Sequence, residues 1–302
     1  MSAIARNNVR TAGTGPAAMM FAHGFGCDQN MWRYVAPAFE VRFRTILFDH
    51  VGAGGSDLKA YDPEKYSTLA GYADDVVEIG RELGLRDAVF VGHSVSAMIG
   101  VLAALEQPER FSRLILVGPS PRYIDADGYV GGFSREDIDG LLASLKAPGL
   151  FRSLVMIGPS PRYLDDDGYV GGFTRQQIVE LLDFLDDNHM GWSAAMAPVI
   201  MGNADRPELG QELTNSFCRS DPDIAKAFAR VTFNSDNRAD LRKVTIPTLI
   251  LQCSEDIIAP TAVGEYMHRQ MPNSQLVILK ATGHCPNLSA PDEVVAAMRA
   301  FV

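Results

Sequence analysis

Three residues in separate parts of the chain, Ser94, Asp256 and His284, carry the side chains needed for nucleophilic catalysis. A serine hydroxyl is a weak nucleophile at neutral pH and needs a general base, which a third group must orient. The order serine, acid, histidine is known for a serine placed at a sharp strand-to-helix turn. We therefore predict Ser94 as the nucleophile, His284 as its base and Asp256 as the group that orients the imidazole. Taken singly, the last two would be a turn aspartate and a loop histidine.

Ser94 lies at the centre of the segment Gly-His-Ser-Val-Ser, residues 92–96. An apolar run at 88–91 leads into this segment and a run of small and apolar residues at 97–104 follows it. This pattern predicts a strand, a sharp turn and a helix, with the serine exposed at the turn. The first N–H groups and the dipole of such a helix favour a developing negative charge.

An oxyanion formed at Ser94 needs two N–H donors. The first is the backbone N–H of Val95, the residue after the nucleophile. For the second we predict the N–H of Phe25 in the His-Gly-Phe-Gly loop at 23–26, which follows a strand at 18–22. The alternative is that Gly24 and Gly26 only make a tight turn.

Alternating strands and helices must position these residues. The helix candidates outside the middle block are 69–83 and 291–302. The strand candidates are 18–22, 45–48, 88–91, 114–117, 248–252 and 275–279. This alternation predicts an α/β fold whose mostly parallel sheet is covered by helices on both faces. Asp256 and His284 follow the last two strands, so all three polar residues should meet at one edge of the sheet.

A mostly helical block from 120 to 240 interrupts this rhythm. Its amphipathic segments are 177–185, 192–201, 208–217 and 222–233. We predict that the block is a lid over the edge of the sheet where ligands bind. The chain then divides into a first core part (1–119), the lid (120–240) and a second core part (241–302).

Part of this region occurs twice, because residues 111–145 return with changes as 151–185. Both copies contain a candidate for the same strand, at 114–117 and at 154–157. We expect the first copy to take the place in the sheet and the second to supply the first lid helix. The second strand-like segment either adds a parallel strand or packs outside the sheet. Natural duplication and engineered joining of two related segments both fit, and the many differences between the copies favour joining.

Composition limits the choice of partners. The formal net charge of −10 argues against nucleic acid or an anionic membrane. No apolar run reaches the length of a membrane span, and the first residues lack a signal-peptide core. The four cysteines have no metal-type spacing and read as reduced thiols. We expect a cytoplasmic protein without a cofactor or metal.

Several other side chains have weaker claims to function. We expect His23 and His93 to hold loops through hydrogen bonds, and Cys285 to be a buried thiol. Large apolar residues of the middle block are candidates for a substrate pocket. The preferred ones are Phe133, Phe173, Trp192, Met196 and Phe217, with Phe184 and Phe233 as further candidates.

Several motifs together resemble the α/β-hydrolase superfamily, and within it the RsbQ-type hydrolases related to the plant strigolactone and karrikin receptors. The matching segments are 23–26, 49–57, 92–100, 131–133, 253–260 and 283–286. The resemblance implies the Ser94, Asp256 and His284 triad, the Phe25 and Val95 donors, and a V-shaped lid of four helices over an apolar pocket. Ser96 departs from the general pattern, which has glycine there, and the repeat is not a family feature.

The leading hypothesis is a serine hydrolase of small hydrophobic esters or lactones that works through an acyl-enzyme. The alternative is a sensor that binds a small hydrophobic signal, turns it over weakly or not at all, and docks its lid on a signalling protein. A haloalkane dehalogenase is disfavoured because it needs a carboxylate at position 94. A perhydrolase side activity would use the same triad.

Overall fold

The structure is a computed structural model that describes residues 1–135, 137–139 and 189–302. Seven strands of the described residues form one sheet. They are β1 (Arg10–Ala12), β2 (Ala17–Ala22), β3 (Phe43–Phe48), β4 (Ala88–His93), β5 (Phe111–Val117), β6 (Thr248–Glu255) and β7 (Ser274–Thr282).

The order of strands across the sheet is β1-β3-β2-β4-β5-β6-β7. All neighbours pair in parallel except β1, which runs antiparallel to β3 at the edge. The α/β class is confirmed, and so are the six strands proposed from the sequence that fall within the described residues. β1 escaped prediction because its three residues are exposed and show no apolar alternation.

Helices pack on both faces of the sheet. Those of the described residues are α1 (Ala3–Arg6), α2 (Leu69–Glu82), α3 (Val95–Glu106), α4 (His189–Met201), α5 (Pro207–Arg219), α6 (Pro222–Asn234), α7 (Thr261–Gln270), α8 (Pro286–Ser289) and α9 (Pro291–Phe301). α7 was not foreseen from the sequence. None of these helices is long and apolar enough to cross a membrane.

Alternation along each central strand builds two separate hydrophobic cores. In β2, for example, Met19 and Phe21 belong to the core that also holds residues of α4, α5 and α9. Met20 and Ala22 face the other core, which holds α2, α3 and α7. Strands buried on both faces therefore read as continuous apolar runs, which is what made them recognisable in the sequence.

Three helices, α4, α5 and α6, lie in the chain between β5 and β6 and correspond to the predicted segments 192–201, 208–217 and 222–233. We call them the inserted helices. The predicted helix 177–185 lies outside the described residues. The division of the chain at 119 and 240 stays a prediction.

The first copy of the repeat supplies β5, as expected, and β5 pairs directly with β4 on one side and β6 on the other. The second copy, with its strand candidate at 154–157, lies outside the described residues.

In the first copy the Asp125 carboxylate accepts hydrogen bonds from the N–H groups of Gly131 and Gly132, at 2.7 and 3.0 Å. The carboxylate thus closes a turn.

Close packing of α3 on β4 generates a test of this fold. A methyl group on Gly100 would come within 2.3 Å of the Phe90 ring, so we expect Gly100→Ala to lower the free energy of unfolding by about 1–3 kcal/mol. Gly80 on α2 is a matched control, since its added methyl would meet only Arg110 Cδ at 3.5 Å. Gly80→Ala should stabilise the protein by roughly 0.5–1 kcal/mol through helix propensity. Urea unfolding measures both changes, and equal effects of the two substitutions would contradict this packing.

Candidate active site

Ser94 sits in a sharp turn between β4 and α3 and has a backbone φ of 54° and ψ of −123°. Positive φ is unfavourable for a residue with a side chain and is found mostly where a site requires it. Gly92 makes the turn possible, because a Cβ there would lie 2.3 Å from the carbonyl oxygen of Ser96. The backbone N–H of Ser94 donates to the carbonyl of Val117 at the end of β5, at 2.9 Å. The serine is thereby held above the carboxyl ends of two strands.

His284 follows β7, and its Nε2 lies 2.8 Å from Ser94 Oγ. Its loop is fastened to α4, because the N–H of His284 donates to the carbonyl of Ile200 at 2.9 Å. Gly283 is required beside it: it has φ of 78°, and a Cβ there would lie 1.8 Å from the Met201 carbonyl oxygen. The position of the imidazole thus depends on an inserted helix as well as on the sheet.

Asp256 completes the line of side chains. Its Oδ2 lies 2.8 Å from Nδ1 of His284, while its Oδ1 accepts from the N–H groups of Ile258 (2.8 Å) and Ala259 (3.1 Å). The carboxylate is therefore fixed and accepts a hydrogen bond from Nδ1–H, which leaves Nε2 free to accept the proton of Ser94. Ser94, His284 and Asp256 are 6%, 4% and 8% exposed. The structure brings together all three residues predicted for the triad.

The loop at 23–26 lies against this turn. A Cβ on Gly24 would lie 3.2 Å from Cβ of Ser94 and 2.5 Å from Nδ1 of His93. His23 holds the loop: its Nδ1–H donates to the Gly24 carbonyl (2.8 Å) and its Nε2 accepts from the N–H of His50 (3.0 Å). Phe25 comes next and lines the cavity over Ser94. Val95 is the first residue of α3, where backbone N–H groups have no partner within the helix.

Ser96, the departure from the glycine pattern, has a structural role here. Its hydroxyl donates to the carbonyl of His23 and accepts from Nε2–H of His50, the latter at 2.7 Å. These bonds tie the start of α3 to the loop that carries Phe25. A glycine at this position would make neither bond.

Two buried histidines around the turn remain neutral at physiological pH. Burial and the nearby His284 lower the pKa of His93 to about 3, and the Nε2–H of His93 donates to the His284 carbonyl at 2.8 Å. Burial, and next the neighbouring His23, hold the pKa of His50 well below its usual value. Both imidazoles therefore position loops rather than carry protons.

A small cavity of about 30 Å³ lies over Ser94. Its described lining residues are Phe25, Cys27, His93, Ser94, Tyr123, Ile200, Leu213, Phe217, Thr232, Phe233, Ile258, His284 and Cys285. The inserted helices provide five of these thirteen, so they form much of the apolar wall.

The residues predicted to line a substrate pocket have different outcomes. Phe217 lines the cavity, whereas Phe173 and the side chain of Trp192 lie outside the described residues. Phe133 and Met196 are not among the described lining residues of this cavity, and their place in a substrate pocket stays a prediction.

Both residues pack against the hydrophobic core that also contains the lining residues Ile200, Phe217 and Phe233. The ring of Phe133 meets the edge of Phe233, their centroids 6.3 Å apart, and Phe233 takes the place at the cavity. Met196 lies one helical turn before Ile200, whose carbonyl reaches His284.

Tyr123 is a site residue that sequence reasoning missed. Its hydroxyl lies 3.4 Å from Ser94 Oγ, and burial raises the pKa of this phenol, which therefore stays protonated. The signal was present in the repeated Gly-Pro-Ser-Pro-Arg-Tyr segment, at 118–123 and 158–163. Duplication made that segment look like part of a repeat rather than a site.

Two thiols at the cavity are poor nucleophiles. Burial raises the pKa of Cys27 to about 12 and that of Cys285 well above its ordinary value. Thiolate is the reactive form, so at neutral pH both side chains act as small apolar groups. Among the described residues no cluster of three metal-ligating side chains occurs.

Comparison with known proteins identifies the family to which this chain belongs. A model of the alpha/beta hydrolase family matches residues 19–297. The chain is 34% identical to strigolactone esterase D14 of Arabidopsis thaliana over 97% of this chain and 94% of that protein. It is 32% identical to the karrikin insensitive 2 receptor CA of Petunia hybrida, over 96% and 93% of the two chains.

A solved structure is also similar to this chain over nearly its whole length. The hydrolase from Oleispira antarctica superposes with a TM-score of 0.83 at 36% identity, covering 99% of this chain and 95% of that one. The chain belongs to the alpha/beta hydrolase family.

The buried histidines generate a prediction for pH. A histidine whose pKa is lowered on folding contributes stability that is complete above the unfolded pKa of 6.5 and is lost as the pH falls. His93 and His50 should each cost about 1.4 kcal/mol at one pH unit below that value. We expect the free energy of unfolding to fall by about 2–3 kcal/mol between pH 7.5 and 5.5, as measured by urea unfolding.

A pair of variants isolates the buried groups. His93→Gln removes one of the two, so its decline over this pH range should be about half that of the wild type. His268→Gln, at an exposed position, should retain the full decline. A decline that is unchanged in His93→Gln would contradict the assignment.

Proposed function

We propose that this protein is a serine hydrolase of small hydrophobic esters or lactones. The observation that carries the proposal is the continuous line from Ser94 Oγ through His284 to the fixed carboxylate of Asp256, with both contacts at 2.8 Å. A serine so paired has a base in reach, and the base has its tautomer set by a buried acceptor. Membership of the alpha/beta hydrolase family supports hydrolysis as the reaction.

The first half-reaction forms an acyl-enzyme. Ser94 Oγ attacks the ester carbonyl as its proton passes to His284 Nε2, and the carbonyl oxygen becomes an oxyanion. The N–H groups of Val95 and Phe25 donate to that oxygen. When the tetrahedral intermediate collapses, the C–O bond to the leaving alkoxide breaks and His284 returns the proton to it.

Water completes the cycle. His284 Nε2 takes a proton from a water molecule whose oxygen attacks the acyl carbonyl, and the bond to Ser94 Oγ then breaks as the serine recovers a proton. Asp256 stays ionised and stabilises the imidazolium formed in each half-reaction.

The size and the lining of the cavity support a substrate with a small, apolar acyl group. Its volume is about 30 Å³, and most of its described lining is aromatic or aliphatic. The names of relatives such as strigolactone esterase D14 also support an ester or lactone. We propose further that residues 120–240 act as a lid over the cavity and control the entry of substrate. The four free cysteines support a reducing, cytoplasmic location.

The second candidate function is a small-molecule receptor with slow or no turnover, whose lid docks on a signalling protein. Relatives that are named karrikin receptors and share 32–33% identity over nearly the whole chain favour it. The small apolar cavity suits the retention of a hydrophobic ligand.

Steady-state hydrolysis of p-nitrophenyl esters tests the first candidate. We expect Ser94→Ala to lower kcat by at least about 10³-fold, because the nucleophile is lost while the oxyanion donors remain. Activity should fall from acetate to hexanoate, since the cavity is small. Ser67→Ala is the matched control, because Ser67 is exposed and bonds only locally to the Glu64 carbonyl. Turnover that persists in Ser94→Ala would refute the role of Ser94.

Burst kinetics with substrate in excess over protein separates the two candidates. A hydrolase releases the acyl group repeatedly, so product accumulates beyond one equivalent of protein within minutes. A receptor gives a burst of one equivalent or less, while ligand still raises the melting temperature of Ser94→Ala. Multiple turnover would exclude the slow receptor.

A further inference from the structure

Thr232 is a polar residue in the apolar wall that the proposed chemistry does not use. It lies in α6, is 1% exposed, and lines the cavity together with Ser94. Its neighbour Phe233 packs against Phe25 and Tyr123, with ring centroids 6.1 and 5.2 Å apart. Thr232 thus belongs to the shell of side chains that surrounds the position of the acyl group.

The hydroxyl of Thr232 has no hydrogen-bond partner within the described part of the chain. A threonine inside a helix ordinarily satisfies its hydroxyl by bonding to the carbonyl four residues earlier. Thr214 on α5 does so, donating to the Gly210 carbonyl at 3.0 Å. Leaving a buried hydroxyl unpaired costs free energy, so a buried hydroxyl without a partner beside a cavity calls for an explanation.

The rest of the wall offers little else for recognition. The lining residues contributed by α4 and α5, Ile200, Leu213 and Phe217, are all apolar. The Tyr123 hydroxyl lies close to Ser94 and therefore faces the reacting end of the ligand. Of the inserted helices' lining residues that the structure describes, Thr232 is the one with a hydroxyl.

We propose that the Thr232 hydroxyl donates a hydrogen bond to a second acceptor oxygen of the ligand, apart from the carbonyl under attack. Thr232 is then a specificity residue, and the preferred acyl groups carry an ether or keto oxygen rather than a plain alkyl chain. An apolar pocket with one polar partner rejects the analogue that cannot pair with it. This inference rests on the proposed function and defines its substrate class.

Isosteric ester pairs test the inference. One pair is p-nitrophenyl butyrate and methoxyacetate, and the other is p-nitrophenyl pentanoate and 3-methoxypropionate, in which oxygen replaces one methylene. The ratio of kcat/KM, oxygen-containing over alkyl, is measured in the wild type and in Thr232→Val. Intrinsic reactivity cancels in the comparison of these ratios. We expect the ratio to fall roughly 5- to 10-fold in Thr232→Val for at least one pair, the worth of one neutral hydrogen bond.

Thr214→Val is the matched control, since it removes a buried hydroxyl from a neighbouring inserted helix away from the cavity lining. It should keep the wild-type ratio. It should also lower the melting temperature, because its hydroxyl is bonded within the protein, whereas Thr232→Val should not. Unchanged ratios for both pairs in Thr232→Val, or a melting temperature lowered as far as in Thr214→Val, would overturn the inference.

A binding experiment tests the role of Thr232 even if the proposed function fails. If Ser94-dependent turnover is absent, the same comparison is made by binding, with methyl butyrate and methyl methoxyacetate titrated into Ser94→Ala and Ser94→Ala/Thr232→Val by NMR. The Thr232→Val substitution should weaken the binding of methyl methoxyacetate and leave the binding of methyl butyrate unchanged. Equal Kd values in the two proteins would then reject the role of Thr232 independently of catalysis.

Discussion

A serine held at positive φ between a buried strand and a buried helix is the constraint on which the rest of this structure depends. The strained turn costs of order 1–3 kcal/mol, and only surroundings that over-determine it can maintain it. Those surroundings are the fully buried β4, the packing of Gly100 against Phe90, and the bond from the Ser94 N–H to Val117. The strain is useful because it lifts the hydroxyl above the sheet and directs the start of α3 at the reacting centre.

The groups around Ser94 are held by a second layer of polar contacts. His23, His50 and Ser96 connect the Phe25 loop to α3, and His93 connects the turn to the carbonyl of His284. Because burial keeps His50 and His93 neutral, this layer fixes geometry without adding charge beside the nucleophile. His284 Nε2 then lies next to Ser94 Oγ, and the contact of Nδ1 with Asp256 sets the tautomer of the imidazole.

The line of Ser94, His284 and Asp256 and the wall of the cavity come from different parts of the chain. The sheet and its loops provide Ser94, His284 and Asp256, whereas α4, α5 and α6 provide much of the cavity wall. The bond between the His284 N–H and the Ile200 carbonyl joins the two parts. The chain is similar both to a relative named as an esterase and to a relative named as a receptor, and we propose that the inserted helices hold the difference between such functions. Thr232 illustrates this, because it lines the cavity but takes no part in the proposed reaction.

The sequence by itself determined the α/β class, six of the seven strands and the residues that meet at Ser94. Those features are local, because apolar runs mark buried strands and each polar residue follows directly after a strand end. Tertiary structure alone decided that β1 closes the edge of the sheet, that Tyr123 reaches Ser94, and that Phe233 rather than Phe133 meets the cavity. It also left the Thr232 hydroxyl without a partner among the described residues. Which side of an apolar helix faces a cavity depends on how segments far apart in the chain pack together, and no local pattern records that packing.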